Sequence, residues 1–241
     1  MKIDMKRFVK LSLLLPLFAL TLSGCSSFKE IEEEQYLEEL ARVEQSISVG
    51  FNSLEQLKIN SHTIVKDEYD YKAGEFYCYK YFVLALIVPV TRESYVYKDE
   101  GKYIHSEYYT IESQNYCKEV NEESFNAALI NGRNTMKNFT MQHLNGVKAN
   151  INDEYSGDGM SDIEKHYYFS ESTNEYKFVF SYNMEVDSKK EKREIIYITK
   201  DSFPSVYETK TDGKTSSKYV YTYDDASMIT PPEKRETEQA S

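Results

Sequence analysis

The chain has 241 residues, with 40 acidic and 29 basic side chains and a formal net charge of −11. This length suits one domain, with two as the alternative. The negative balance argues against nucleic acid as a partner, because its phosphates would be repelled, and against charge-driven binding to anionic lipid headgroups.

The first 24 residues are typical of an export signal. Basic residues precede an apolar run from Leu11 to Leu22, which is shorter than the roughly 20 residues that a membrane-spanning helix needs. Leu22-Ser23-Gly24-Cys25 then matches the lipobox of bacterial lipoproteins, whose cysteine carries a diacylglyceryl group and fatty acyl chains such as palmitate. An ordinary signal peptide with an accidental cysteine is the alternative. We expect residues 1–24 to be removed and Cys25 to anchor the protein on the extracytoplasmic face of the cell membrane.

Two further cysteines, Cys78 and Cys117, both lie in strand-like segments. An exported chain can keep a disulfide, and two cysteines outside the anchor allow a single pairing. A Cys78–Cys117 bridge and two unpaired thiols therefore remain as alternatives.

Two helical segments are predicted. The first covers residues 31–57, where apolar residues recur at spacings near three or four, with Gly50 as a kink or a break. The second covers residues 121–144, with Asn121 or Asn115 as its cap and with Gly132 and Gly146 limiting its length.

From Ser61 onward, runs rich in Tyr, Val, Ile and Phe alternate with short polar connections such as KAGE, KDEGK, STNE, DSKKEK and TDGK. This regular spacing predicts an antiparallel meander rather than βαβ units. The run Tyr81–Val90 is apolar throughout. It is interpreted as a strand buried on both faces, a lid segment or an apolar loop entering a cavity.

The sequence contains no motif that indicates an enzyme. The four histidines lack the paired spacing of metal ligands, and no nucleophile elbow, Walker loop or dinucleotide fingerprint is present. The acidic segment Asn152–Asp162 resembles a calcium loop, but Ile163 stands where a bidentate glutamate is needed. No catalytic residue, metal site or cofactor is therefore predicted.

Tyrosine is the most distinctive component, with 22 tyrosines and no tryptophan. Tyrosines fill cores and edges of sheets in polar chains, since strand propensity alone enriches them. They also line cavities and contact surfaces, where the ring is apolar and the hydroxyl polar. The first interpretation is favoured, and the second stays open.

The order of the predicted elements and the amino-acid sequence of the last strands resemble those of the LolA-like superfamily. That superfamily includes outer-membrane lipoprotein carriers and lipid-binding lipoproteins of the LppX/LprG type. Ile195–Lys200 followed by Phe203-Pro204-Ser205-Val206 looks like that family's strand pair. The family's terminal aromatic run, polar link and proline are matched by the following residues: Tyr219, Tyr221, Tyr223, Asp224, Asp225, Met228, Ile229, Pro231 and Pro232.

The resemblance implies an α+β fold in which an antiparallel meander forms an unclosed half-barrel covered by helices. The expected organisation is a tether at 25–35, the domain at 36–233 and a disordered tail at 234–241. The cavity under the helices would bind an apolar or amphipathic, lipid-like ligand of the cell envelope without catalysis. Its expected lining is Phe82, Val83, Leu84, Leu86, Ile87 and Val88.

An alternative function is a surface interaction or sensor module. In that case the sheet is filled by its own side chains and binds a protein or a glycan. The oligomeric state is left open.

Overall fold

The computed structural model describes residues 27–54, 56–61, 66–72, 74–84, 88–109, 114–153 and 159–223. The predicted signal sequence, Cys25 and the predicted tail lie outside these residues. So does the terminal motif from Asp224 to Pro232 on which part of the family resemblance depends.

Two helices and twelve strands form the described part of the chain. The helices are α1 (Glu33–Ser48) and α2 (Glu122–Ile151), and a 3₁₀ turn, Gly50–Ser53, follows α1. The strands are β1 (Lys29–Glu30), β2 (Gln56–Ser61), β3 (Lys66–Lys72), β4 (Glu75–Leu84), β5 (Val88–Asp99), β6 (Lys102–Tyr109), β7 (Gln114–Val120), β8 (Met160–Ser170), β9 (Glu175–Val186), β10 (Lys189–Lys200), β11 (Phe203–Thr211) and β12 (Lys214–Thr222).

All described strands belong to one antiparallel sheet with the order β1-β8-β9-β10-β11-β12-β2-β3-β4-β5-β6-β7. The sheet is open, because β1 and β7 are its two edges. Pairing of β12 with β2 joins the meander before α2 to the meander after it. The predicted α+β class and the predicted antiparallel meander are thereby confirmed.

Several connections between described strands are two-residue turns whose residues both have positive φ. They are Glu100-Gly101, Asp187-Ser188, Asp201-Ser202 and Asp212-Gly213. Positive φ at both central positions is the signature of the type I′ turn, whose twist matches that of antiparallel strands. The polar connections predicted as hairpins at KDEGK, DSKKEK and TDGK are confirmed.

The first helix is shorter than predicted. It ends at Ser48, and the 3₁₀ turn starts at Gly50, where a break was expected. Leu57, which the helical prediction included, belongs instead to β2, where Leu57, Ile59 and Ser61 are buried and alternate with less buried residues. That period of two suits a strand, and β2 is hydrogen-bonded on both sides, by β12 and β3.

The second helix is longer than predicted. Asn121 is its cap, since the side-chain oxygen accepts a 2.8 Å hydrogen bond from the Ser124 N–H. The helix then continues to Ile151, through both Gly132 and Gly146. The expectation that these glycines limit the helix was wrong, because a helix interior tolerates glycine at a cost of only about 1 kcal/mol.

The predicted tether contains ordered structure from Lys29 onward. Lys29 and Glu30 pair with β8, and the Ile31 N–H donates a 2.9 Å hydrogen bond to the carbonyl oxygen of Tyr167. The sheet therefore begins earlier than residue 36, because the side of β8 that β9 leaves unpaired offers backbone hydrogen bonds to the incoming chain.

Both helices contribute an apolar stripe to a shared core over the sheet. The buried side chains include Tyr36, Leu40, Val43 and Ile47 of α1, and Phe125, Met136, Leu144 and Val147 of α2.

The two glycines of α2 have opposite surroundings. A Cβ at Gly132 would lie 2.5 Å from Cγ of Phe76, the aromatic residue near the start of β4. Among the described residues, nothing lies within 4 Å of the position of a Cβ at Gly146. Gly132 therefore allows α2 to approach the sheet, whereas no close packing accounts for Gly146.

Alanine substitutions should separate these two roles. Gly132→Ala should destabilise the protein by about 1–3 kcal/mol, because the methyl group overlaps the Phe76 ring close to its attachment. Gly146→Ala should stabilise it by up to about 1 kcal/mol through helix propensity. Thermal unfolding followed by circular dichroism measures both, at about 2–4 °C per kcal/mol for a domain of this size. A stabilising Gly132→Ala would contradict the packing explanation.

Candidate functional site

A row of aromatic side chains crosses five adjacent strands on the face that the helices cover. Strand register pairs each member with the next, and we call the set the aromatic row: Tyr167, Phe178, Tyr197, Tyr207 and Tyr219. Paired residues of neighbouring strands point to the same face, so their side chains form one continuous surface. The row is buried from β8 to β10 and only partly buried at Tyr207 and Tyr219.

Each helix contacts the aromatic row through ring contacts. Tyr36 of α1 lies 5.5 Å from Tyr167 and 5.7 Å from Phe178 between ring centroids. His143 of α2 stacks on Tyr207 at 4.1 Å, with an angle of 4° between the ring planes. These contacts place α1 over the buried half of the row and α2 over the partly exposed half.

His143 is enclosed by aromatic residues. Besides Tyr207, its ring lies 4.6 Å from Phe139 and 4.8 Å from Tyr219, and its Nδ1 forms a 2.5 Å hydrogen bond with the hydroxyl of Tyr221. Burial lowers the pKa of His143 to about 4, because the charged imidazolium would lose hydration without gaining a carboxylate partner. The ring is therefore neutral near pH 7.

A cleft lies beside His143, between α2 and strands β9 to β12. Its volume is about 900 Å³, within the range of small-molecule sites. The sheet side presents Tyr182, Ile195, Tyr207 and Tyr219. The helix side presents Met141 together with polar residues: Asn138, Gln142, Asn145 and Asn150. None of its described lining residues is Asp, Glu, Lys or Arg, so this α2 cleft is amphipathic but uncharged.

A second cleft lies at the β10–β11 turn and is called the turn cleft. Its volume is about 820 Å³, and its apolar walls include Phe203, Pro204 and Tyr223. Glu175, Lys200 and Asp201 also line it. The turn cleft therefore differs from the α2 cleft by carrying charge of both signs.

The residues predicted to line a cavity lie elsewhere in the chain. Phe82, Val83 and Leu84 belong to β4, and Val88 begins β5 and pairs with Leu84. The apolar run is thus divided between two paired strands. Leu86 and Ile87 lie outside the described residues, as do the side chains of the other four, so their role stays a prediction.

The sequence analysis did not identify either cleft as the site. Two signals were available: the alternating tyrosines Tyr219, Tyr221 and Tyr223, and Gly146 near the C-terminal end of α2. The tyrosines were interpreted only as a family motif, and Gly146 only as a helix limit.

The structure contains no disulfide between Cys78 and Cys117, both of which are described. Cys78 lies in β4 and Cys117 in β7, with β5 and β6 between them. Three strand spacings amount to about 14 Å, whereas a disulfide requires Cα atoms within about 7 Å. An intramolecular bridge is therefore incompatible with this sheet order.

The acidic segment Asn152–Asp162, which lacks one ligand of a calcium loop, is only partly described, since residues 154–158 lie outside the described part. Asp153 forms a 2.7 Å ion pair with Lys165, and Asp162 forms one of 2.6 Å with Lys190. In the described part of the chain, no group of three or more His, Cys, Asp or Glu residues could hold a metal ion.

Glu39 is a buried carboxylate that the sequence did not single out. It is 2% exposed and accepts hydrogen bonds from Thr199 Oγ1 at 3.2 Å, Ser202 Oγ at 3.3 Å and Arg42 Nε at 3.0 Å. These partners occupy its oxygens and attach α1 to the β10–β11 turn. Glu39 therefore has a structural role in this arrangement.

No protein-family model matches this chain, and no curated protein matches it. In the part of the chain that the structure describes, no helix is long and apolar enough to cross a membrane. The resemblance to the LolA-like superfamily stays a prediction.

His143 should make stability depend on pH. Its pKa is lowered by folding from an ordinary value of 6.5 to about 4, so the unfolded chain binds a proton more readily than the folded one. The stability that neutral His143 contributes is complete above pH 6.5 and is lost, at up to about 1.4 kcal/mol per pH unit, as the pH falls towards 4.

Replacing His143 with phenylalanine should reduce this acid sensitivity. Urea unfolding of the wild type and of His143→Phe between pH 7 and pH 4 measures the difference. The pKa of His105 is also lowered, mainly by burial. Because His105 is present in both proteins, its contribution cancels in the difference between their stabilities. Parallel stability curves for the two proteins would show that His143 titrates normally.

Proposed function

We propose that the protein is a membrane-anchored lipoprotein that binds an amphipathic, uncharged envelope ligand in the α2 cleft. The open antiparallel sheet, with two helices on one face, supports a half-barrel whose helix-covered surface receives the ligand. The anchor is the acyl group of Cys25. No chemical step is part of this function.

The composition of the α2 cleft supports this class of ligand. Partly exposed rings of Tyr207 and Tyr219 offer apolar contact, and each buried methylene of a ligand would contribute about 0.8 kcal/mol. Amide side chains such as Gln142 and Asn145 offer hydrogen bonds to hydroxyl, ester or amide groups. An ionic headgroup would lose hydration there without meeting a counter-charge.

Gly146 is the observation that carries the proposal. Glycine in a helix interior costs about 1 kcal/mol relative to alanine. At Gly132 the close approach of Phe76 accounts for that cost, but a Cβ at Gly146 would meet only open space in the cleft. A larger side chain would enter the cleft, so glycine at this position preserves its volume.

Filling the cleft from Gly146 should therefore weaken binding while preserving the fold. Gly146→Leu should weaken binding of 1-monopalmitoylglycerol by at least about tenfold, which corresponds to about 1.4 kcal/mol. Gly146→Ala is the matched control, since it adds one methyl group and should retain binding. Displacement of a fluorescently labelled monoacylglycerol, which carries no charged headgroup, measures affinity, and native mass spectrometry detects co-purified lipid.

Two outcomes would count against the proposal. Equal affinity of Gly146→Leu and the wild type for the ligand would show that the ligand does not bind in the α2 cleft. A ligand-free native spectrum together with no uptake of either probe by the wild type would favour the alternative of a surface interaction module.

The anchor is tested separately from the cleft. Cys25→Ser should remove the acyl mass and leave the protein uncleaved or released from the membrane, because serine offers no thiol for the diacylglyceryl group. Membrane fractionation and intact mass of wild type and variant measure this, with Cys117→Ser as a control. A wild type that is retained on the membrane without an acyl mass would refute the anchor.

A further inference from the structure

The two clefts lie on the same face of the sheet, and one hydrogen-bonded pair, His143–Tyr221, has a member in the wall of each. Tyr219 lines the α2 cleft, and Tyr221, two residues further along β12, lines the turn cleft. Alternate residues of a strand share a face, so both tyrosines point towards the helices. His143 lines the α2 cleft and is hydrogen-bonded to Tyr221.

We propose that the His143–Tyr221 pair is a stop that limits the length of the apolar chain bound in the α2 cleft. This inference rests on the proposed function and adds a specificity-determining contact to it. A chain lying along β12 from the α2 cleft would reach the His143 ring before it could enter the turn cleft.

The contacts of His143 make the stop rigid. The ring is stacked on Tyr207, lies within 5 Å of Phe139 and Tyr219, and is tied to Tyr221 by a 2.5 Å hydrogen bond. Displacing it would break that bond and leave the buried hydroxyl of Tyr221 without it, which costs more than one ligand methylene gains.

The turn cleft beyond the stop has a volume of about 820 Å³, enough for the distal part of a longer chain. Ser217 lines the α2 cleft and Tyr223 lines the turn cleft. The strand between them spans about 20 Å at about 3.3 Å per residue. Phe203, Pro204 and Tyr223 would supply apolar contact for the distal part of a chain.

A series of saturated 1-monoacylglycerols, from capric to arachidic, tests this inference. The mature chain from residue 25 is used with Cys25→Ser, which carries no acyl group and retains every described helix and strand. In the wild type, affinity should rise about fourfold per methylene and then level off when the chain end reaches His143. In His143→Ala the rise should continue to longer chains. His143→Phe should restore the wild-type break, because it restores the ring.

The outcomes are distinct. A break that moves in His143→Ala and returns in His143→Phe supports the stop. A wild type without any break, or a break at the same length in His143→Ala, overturns it and leaves the proposed function intact. Ile130→Ala, on the exposed side of α2, controls for a general loosening of the helix, and a shift there would also overturn the stop. A wild type that binds none of the probes overturns the proposed function itself.

Discussion

The register of the aromatic row is the constraint on which the rest of the structure depends. Five strands present one ring each at paired positions, and both helices are placed by a ring that stacks on this row, Tyr36 for α1 and His143 for α2. Slipping one strand by a single residue would turn its ring to the opposite face. The row therefore couples strand register to helix position.

Tyrosine gives this row two different surfaces. In the buried half, the hydroxyls of Tyr197 and of Tyr36, the α1 residue packed on the row, have no hydrogen-bond partner among the described residues, and burial raises the pKa of both well above the ordinary value. Packing of the rings must offset that cost of about 1–3 kcal/mol per hydroxyl. In the partly buried half, Tyr207 and Tyr219 line the α2 cleft. Core filling and cavity lining, posed as alternatives from composition, thus describe two ends of one row.

Local rules in the sequence predicted the meander, because alternation of period two and polar two-residue turns are properties of neighbouring residues. The same local rules gave wrong predictions where contacts with residues distant in the sequence determine the structure. Leu57 fits a helical stripe, but pairing of β2 with strands on both sides makes it part of the sheet. The packing role of Gly132 depends on its contact with Phe76, which lies 56 positions earlier in the chain. The α2 cleft depends on register across β9 to β12, so hydrophobicity alone pointed to residues 82–88.

The aromatic row also connects the N-terminal segment to the core. Tyr167 accepts the backbone hydrogen bond of Ile31 and donates its hydroxyl to Glu33 at 2.7 Å, so it holds both β1 and the start of α1. Only residues 26–28 separate Cys25 from β1. At most about 14 Å of extended chain would therefore lie between an acyl anchor and the sheet. With the proposed anchor at Cys25, so short a connection would keep the β1–β8 edge within that distance of the acyl group.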